Sequence, residues 1–219
     1  MRFYFKFIVY LYVLYGFSCA IAGSYEDYFA AILKDDVPVV SSLLERGFDP
    51  NTPNPAGDRA LLIALRVGST KVIPVLLAQP KLDVEARNRQ DESALMIASL
   101  KGMTDMASLL LDKGADVNKP GWTPLHYAAT GGHLQIMQLL LDNHAYIDAA
   151  SPNGSTPLMM AAMYGTPSAV KLLLEAGADP LLKNELGLTA IDFAQRANRK
   201  ESVDIIAAFV RGRQPRGQW

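Results

Sequence analysis

The segment from Gly121 to His133, GWTPLHYAATGGH, contains most of the side chains that could do chemistry in this sequence. It holds two of the three histidines, His126 and His133, seven positions apart. On one continuous helix that spacing would place both imidazoles on the same side, where they could bind a metal ion. The glycine pair at 131–132 interrupts such a helix, and no cysteine or carboxylate stands beside the histidines at ligand spacing. The pattern therefore favours a structural role for both histidines.

Other catalytic patterns are missing from the sequence. No serine or cysteine nucleophile lies in a recognisable elbow, and there is no glycine-rich phosphate-binding loop. We interpret the adjacent carboxylates of Asp35 and Asp36 as solvated, since neighbouring side chains diverge on a helix. The methionines around Met163 are interpreted as core filler, because thioethers fill irregular gaps. We expect a protein that is not an enzyme and needs no cofactor or metal.

Composition narrows the class of protein further. The 219 residues are 50% hydrophobic and 20% charged, as in a globular protein with a substantial core. A formal net charge of −1 gives no reason to expect nucleic acid as a partner. With a single cysteine, Cys19, the chain cannot form an internal disulfide.

The first 22 residues have the parts of a secretory signal peptide. Basic residues in MRFYFK precede the apolar run FIVYLYVLYGF and the small-residue segment SCAIAGS. These features predict cleavage between Ala22 and Gly23 and a periplasmic or secreted protein. Two alternatives are an uncleaved membrane anchor over residues 7–22, which is short for a span of about 20 residues, and a lipoprotein attached at Cys19.

An internal repeat of about 33 residues runs through the rest of the chain. Its anchor positions are separated by 33, 34, 30, 33 and 33 residues, and an alanine follows each anchor by five positions. The anchors are Glu26, Arg59, Ser93, Thr123, Thr156 and Thr189, and the alanines are Ala31, Ala64, Ala98, Ala128, Ala161 and Ala194.

Each copy is expected to form two short helices. Threonine followed by proline is typical of a helix start, because threonine caps the backbone and proline has no N–H to satisfy. Segments such as HLQIMQLLLDNH carry apolar residues at helical spacing and predict a second helix with one buried face. The copies are joined by segments such as ADVNKPG, which have the residue types of tight turns.

The copies GWTPLHYAATGGHLQIMQLLLDNHAYIDAASPN and GSTPLMMAAMYGTPSAVKLLLEAGADPLLKNEL resemble the ankyrin repeat. The resemblance implies an all-α fold, an ankyrin-repeat α-solenoid of about six helix-pair repeats with β-hairpin-like fingers. We assign residues 1–22 to a signal peptide, 23–210 to the repeats, with the first and last copies acting as caps, and 211–219 to a flexible tail. The whole chain is similar to small periplasmic ankyrin proteins of Gram-negative bacteria.

The resemblance also accounts for the histidines. It implies that the His126 ring bonds to neighbouring finger backbone and that His133 opens a second helix. His144 replaces the usual turn glycine and is expected in a left-handed conformation. The finger before Thr123 lacks three residues relative to the next copy and should be blunt.

Partners of ankyrin proteins usually contact the fingertips and the exposed ends of the first helices. Transferred by position, this predicts a partner-binding surface on the concave face. Several of the transferred positions carry apolar or aromatic side chains, which are typical of binding hot spots. For Leu188, packing against an adjacent copy is an equal alternative. The predicted contact residues are Arg66, Arg89, Leu100, Lys101, Trp122, Met163, Tyr164, Leu186 and Leu188.

The functional prediction is a non-enzymatic module for protein–protein interaction, an adaptor, inhibitor or protective partner of an exported enzyme. We expect a monomer with a protein partner, no nucleic acid, and membrane contact only if the N-terminal segment is retained. The alternatives are a membrane-tethered ankyrin scaffold and a secreted effector that mimics host ankyrin proteins.

Overall fold

The computed structural model describes residues 23–213, which form twelve helices joined by turns. An isolated antiparallel bridge between Pro53 and Arg59 is the only strand-like pairing within this described range. The predicted all-α fold is therefore confirmed. The chain divides into two compact units, a first one up to Arg89 and a second one from Gln90 onward, and each is described by itself.

The first unit contains two helix pairs. The helix α2 begins with a proline in its first turn, which has no N–H to leave unsatisfied. The helix α3 ends at Gly68 in the left-handed conformation that a helix C-terminus favours. The four helices are α1 (23–34), α2 (Val37–Glu45), α3 (Ala60–Val67) and α4 (Val72–Leu77).

Aromatic packing builds the N-terminal repeat. The ring of Tyr28 is fully buried, with its centroid 4.4 Å from that of Phe48 and 5.4 Å from that of Phe29. Phe48 occupies the position that alanine holds in later copies, as at Ala115 and Ala178. The Tyr28 hydroxyl has no hydrogen-bond partner among the described residues, and burial raises its pKa strongly. Large rings thus fill the core of this atypical copy.

The second unit contains four helix pairs. Its first helices pack side by side, α5 on α7, α7 on α9 and α9 on α11, and each also packs against the second helix of its own pair. The helices are α5 (Ala94–Lys101), α6 (Thr104–Asp112), α7 (Pro124–Gly131), α8 (Leu134–Asp142), α9 (Pro157–Met163), α10 (Pro167–Glu175), α11 (Ala190–Arg196) and α12 (Lys200–Arg213).

The predicted helix starts and the alanine column are confirmed. Ser93 and Thr156 cap α5 and α9 by accepting backbone N–H groups with their side-chain oxygens, at 3.3 and 3.4 Å. All six column alanines are buried, Ala128 and Ala161 at the junction of α7 and α9 among them. A small side chain at this position lets neighbouring helices approach closely.

Asp35 and Asp36, interpreted from the sequence as solvated, are half-buried, and each carboxylate also binds the start of a helix. The Asp35 carboxylate accepts the N–H groups of Lys71 and Val72 at 3.0 Å each, at the start of α4. Asp36 caps α2 by accepting the Val39 N–H at 3.2 Å. A carboxylate is favourable at a helix N-terminus because the unpaired N–H groups there carry partial positive charge.

The C-terminal boundary differs from the prediction. Helix α12 continues to Arg213, so residues 211–213, assigned to the flexible tail, are helical. The Arg213 guanidinium lies 4.5 Å from the centroid of the Phe209 ring. Residues 214–219 and the predicted signal peptide lie outside the described residues. Within 23–213, no helix has the length and apolar character of a membrane span.

Replacing Ser99 with alanine is expected to raise the free energy of unfolding by about 1 kcal/mol. Ser99 is fully buried in α5, and its hydroxyl finds no partner within the described chain. Alanine fits there, since Ala129 and Ala162 hold the same repeat position and are buried too. Urea unfolding of the two proteins tests the prediction, and a lower midpoint for the variant would contradict it.

Candidate functional site

The predicted fingers are present as tight hairpin turns. In the first unit the Asn54 N–H donates to the Asp58 carbonyl and the Gly57 N–H donates to the Asn54 carbonyl, both at 2.8 Å. The same pair of bonds closes the fingers at 151–155 and 184–188 in the second unit. The fourth residue of each of these turns is a glycine with a positive φ, and Asp91, which holds the equivalent position two residues before the anchor Ser93, has a φ of 60° without being glycine. The β-hairpin-like fingers are therefore confirmed.

The shortened finger is anchored by a buried lysine. Lys119 is 5% exposed, and its ammonium group donates to the Asp91 carbonyl at 3.2 Å and forms an ion pair with the Asp91 carboxylate. A buried ammonium is costly unless it is paired and hydrogen-bonded. The sequence alone did not predict this ion pair, because it joins residues 28 positions apart.

Trp122 lies next to the shortened finger and is half-buried. Its ring packs edge-to-face on the imidazole of His126, with centroids 5.2 Å apart. Nearby, the Tyr127 hydroxyl donates to the Glu92 carboxylate at 3.3 Å, and burial together with Glu92 raises the pKa of Tyr127 to about 12. Trp122 thus contributes to the packing of the repeat and keeps part of its ring accessible.

His126 has a structural role, as the resemblance implied. Its Nε2 lies 2.9 Å from the Ser155 carbonyl oxygen in the adjacent finger, and its Nδ1 lies 3.2 Å from the Thr123 backbone nitrogen. A carbonyl only accepts and an N–H only donates, so Nε2 carries the proton of a neutral ring. Burial lowers the pKa of His126 to about 4, although the bond to Ser155 acts in the opposite direction.

The other two histidines also have backbone roles. His133 precedes α8, and its Nε2 donates to the Leu100 carbonyl at 3.0 Å. His144 has a φ of 65°, which confirms the predicted left-handed turn. In the part of the chain that the structure describes, no three histidine, cysteine or acidic residues are grouped so that they could hold a metal ion.

Four of the predicted contact residues lie along one surface of the second unit, at the C-terminal ends of its first helices. Three contacts show that these ends lie side by side. His133, before α8, donates to the Leu100 carbonyl of α5, and Arg199, before α12, donates to the Gly165 carbonyl after α9 at 2.9 Å. Thr166, before α10, packs against Gly132 at the end of α7. We call this surface the helix-end row, formed by Leu100, Lys101, Thr130, Gly131, Met163, Tyr164, Arg196 and Ala197.

Exposure differs among the predicted residues of the second unit. Tyr164 is 52% exposed and Leu100 is 40% exposed, both high values for such side chains. Met163 is half-buried, and Leu186, at a fingertip, is 77% exposed. Leu188 is half-buried, and its backbone closes the finger with Asn184 through bonds of 3.0 Å. Tyr164, Leu100 and Leu186 thus offer the most apolar surface.

Both predicted arginines of the first unit already have internal contacts. Arg66 forms an ion pair with Asp58 at 2.8 Å. Arg89 lies on the finger turn, with one guanidinium nitrogen 3.5 Å from the Pro55 carbonyl. The sequence fixes the repeat positions of these residues, but their pairing depends on where the finger places its carboxylate and carbonyls.

A groove of about 200 Å³ lies beside Arg66 in the first unit. Its walls include Leu33 and Val67, each more than half exposed. Leu33 was not among the predicted contact residues. The repeat register could have identified it, since Leu33 follows the anchor Glu26 by the seven positions that separate Arg66 from Arg59.

Comparisons with known proteins agree with this architecture. A family model described as ankyrin repeats (3 copies) matches residues 28–120, 82–151, 118–184 and 148–213. The mouse protein fem-1 homolog A-like is 36% identical over 137 residues, 61% of this chain and 21% of that protein. Mouse ankyrin repeat and SAM domain-containing protein 6 is 38% identical over 126 residues, 57% of this chain and 14% of that protein. The chain thus spans about a fifth or less of these relatives.

A solved bacterial structure is similar over most of both chains. It is the complex of the predatory endopeptidase Bd0816 of Bdellovibrio bacteriovorus with the immunity protein Bd3460. The match has a TM-score of 0.73 and 28% identity, and it covers 83% of this chain and 97% of the solved one. With stacked helix pairs, hairpin fingers and a family model matched from residue 28 to 213, this chain belongs to the ankyrin-repeat family.

Proposed function

We propose that this chain is a non-enzymatic binding protein that acts as an adaptor, inhibitor or protective partner of an exported enzyme. The observation that carries the proposal is the helix-end row, where Tyr164 and Leu100 expose apolar surface at a place where water would favour polar side chains. Aromatic and aliphatic side chains that a partner can cover are typical anchors of protein interfaces.

The similarity to the endopeptidase–immunity protein complex supports the protective version of this function. One chain of that complex is similar to the present chain over 83% of the present chain's length. In that complex an immunity protein is bound to an endopeptidase, and binding an enzyme requires an exposed recognition surface. The partner we propose is accordingly a protein, and a degradative enzyme fits the role best.

The proposed location is the periplasm or the cell exterior. Residues 1–22 support it, since they combine a basic start, an apolar run and small residues before Gly23. N-terminal sequencing of the protein from its producing cell tests the location. A start at Gly23 supports export of a free protein, and an intact Met1 with the protein in the membrane fraction supports the tethered alternative.

Replacing Tyr164 with alanine is expected to weaken capture of the partner at least tenfold, because an exposed aromatic anchor commonly contributes more than about 1.4 kcal/mol to binding. Trp122→Ala is expected to act in the same direction, with some loss of stability because its ring packs on His126. The measurement is quantitative pull-down from a periplasmic extract with the protein as bait.

Tyr146→Ala is the matched control, since Tyr146 is 69% exposed in the loop after α8, outside the helix-end row. It should leave capture unchanged. If Tyr164→Ala and Trp122→Ala also left the captured proteins unchanged, the binding surface would have to be assigned elsewhere.

A further inference from the structure

At two of the four helix C-termini of the helix-end row, side chains from the neighbouring repeat donate to the terminal carbonyls. Arg199 donates to the carbonyls of Gly165 at 2.9 Å and Tyr164 at 3.2 Å, at the end of α9. His133 donates to the Leu100 carbonyl at the end of α5. These bonds offset the partial negative charge that helix C-termini carry. At the ends of α5 and α9, the charge that a partner contacts is therefore mainly that of the side chains.

Those side chains place a cation at each end of the helix-end row. Lys101 lies in the last turn of α5 and Arg196 in the last turn of α11, and both are exposed. Between them, α7 and α9 end without a charged residue, at Thr130 and Gly131 and at Met163 and Tyr164. The middle of the row is thus uncharged and apolar.

The acidic residues closest in sequence to the row are not part of it. Asp192 lies one turn back on α11, where the Thr189 N–H and hydroxyl bind its carboxylate at 2.7 and 2.6 Å. These bonds, with Arg196 as a smaller contribution, lower the pKa of Asp192. Asp105 and Glu201 lie in the first turns of the second helices α6 and α12. The row itself carries cations and no acidic residue.

The length of the row sets the length of what can bind across it. Packed helices lie roughly 8–10 Å apart, so three steps from α5 to α11 span roughly 24–30 Å. An extended chain rises about 3.3 Å per residue and covers that distance with about seven to nine residues. One such segment could contact both cations at once.

We propose that the helix-end row binds an extended acidic segment of the partner protein. A carboxylate near each end of this segment pairs with Lys101 and Arg196, and an apolar side chain between them packs on Met163 and Tyr164. The inference rests on the proposed function and adds the chemistry of the partner. A nucleic acid or other polyanion fits less well, because two of the four helix ends offer it no positive charge.

The test uses the full chain and a phage-displayed library of random twelve-residue peptides. Enriched peptides are expected to carry Asp or Glu at two positions about seven to nine residues apart, with Leu, Phe or Tyr between them. The double variant Lys101→Gln, Arg196→Gln should weaken binding of such a peptide at least tenfold. The double variant Lys113→Gln, Lys171→Gln removes two exposed lysines, one just after α6 and one on α10, and should have no effect.

Two results would overturn the inference and leave a protein-binding function intact: enriched peptides without acidic residues, or acidic peptides that bind the Lys101→Gln, Arg196→Gln variant as well as the parent. A parallel assay with a single-stranded DNA oligonucleotide tests the alternative that the row binds nucleic acid. If the oligonucleotide bound through Lys101 and Arg196 and acidic peptides did not, the row would be a polyanion site. By contrast, failure of chemical cross-linking to capture any protein in the native compartment would count against the proposed function itself.

Discussion

Replacing Gly165 with alanine is expected to lower the free energy of unfolding by about 3 kcal/mol. A Cβ at this position would overlap the carbonyl oxygen of Ala129 in the neighbouring repeat. It would also lie 2.9 Å from the carbonyl oxygen and 3.0 Å from the Cα of Ala161. All three atoms belong to helix backbone, so no side-chain rotation can make room and the α7–α9 contact must open.

Urea unfolding of the Gly165→Ala variant measures this cost. Gly212→Ala is the matched control, because Gly212 lies within α12 and a Cβ there meets nothing within 4 Å. The control should stabilise the protein by up to about 1 kcal/mol, since alanine favours a helix more than glycine does. Equal midpoints for the two variants would show that α7 and α9 are less closely packed than described.

Lowering the pH from 7 to 4 is expected to reduce the free energy of unfolding by about 3 kcal/mol through His126 alone. Burial lowers the pKa of the folded imidazole to about 4, whereas an unfolded histidine has its ordinary value near 6.5. The stabilising contribution is fully present above about pH 6.5. It is lost as the pH falls toward 4, because the unfolded ring takes up a proton that the folded ring does not.

Urea midpoints at pH 7.5, 6.5, 5.5 and 4.5 measure this loss. His133→Gln should retain the pH dependence, because His133 lies at the start of α8 and is only half-buried. His126→Gln should be less stable at pH 7.5 and should lose most of the dependence. If the slope persisted in His126→Gln, other groups would have to account for it.

The fold was predictable because the same information occurs six times. A single capping threonine is a weak helix signal, but Thr123, Thr156 and Thr189 recur in one register with a buried alanine five positions later. Each copy constrains the others, so an atypical copy such as the first can still be aligned. The sequence could not predict how that copy fills its core, since the Tyr28–Phe48 ring pair has no counterpart in the other repeats.

The positions of the candidate site's residues could be predicted from the sequence, but most of their ion pairs and hydrogen bonds could not. Repeat register placed Leu100 and Tyr164 at helix ends, and both are exposed there. Arg66 was also placed correctly, yet its ion pair with Asp58 depends on the depth of the finger. Arg199 was not identified at all, because its role depends on a carbonyl 34 positions earlier in the sequence. The repeat pattern of a single sequence does not show which side chains of neighbouring copies contact each other.

The Lys119–Asp91 pair limits how this protein can be taken apart and rebuilt. Repeat proteins are often treated as interchangeable modules, because each copy contacts only its neighbours. Here Lys119, in the short finger, is a buried ammonium group that needs the carboxylate of Asp91, in the turn before Ser93. Exchanging a segment that contains one of these two turns without the other would leave a buried charge without its counterpart. For recombination, whether by an engineer or in a genome, the two turns and the helix pair between them therefore have to be inherited together.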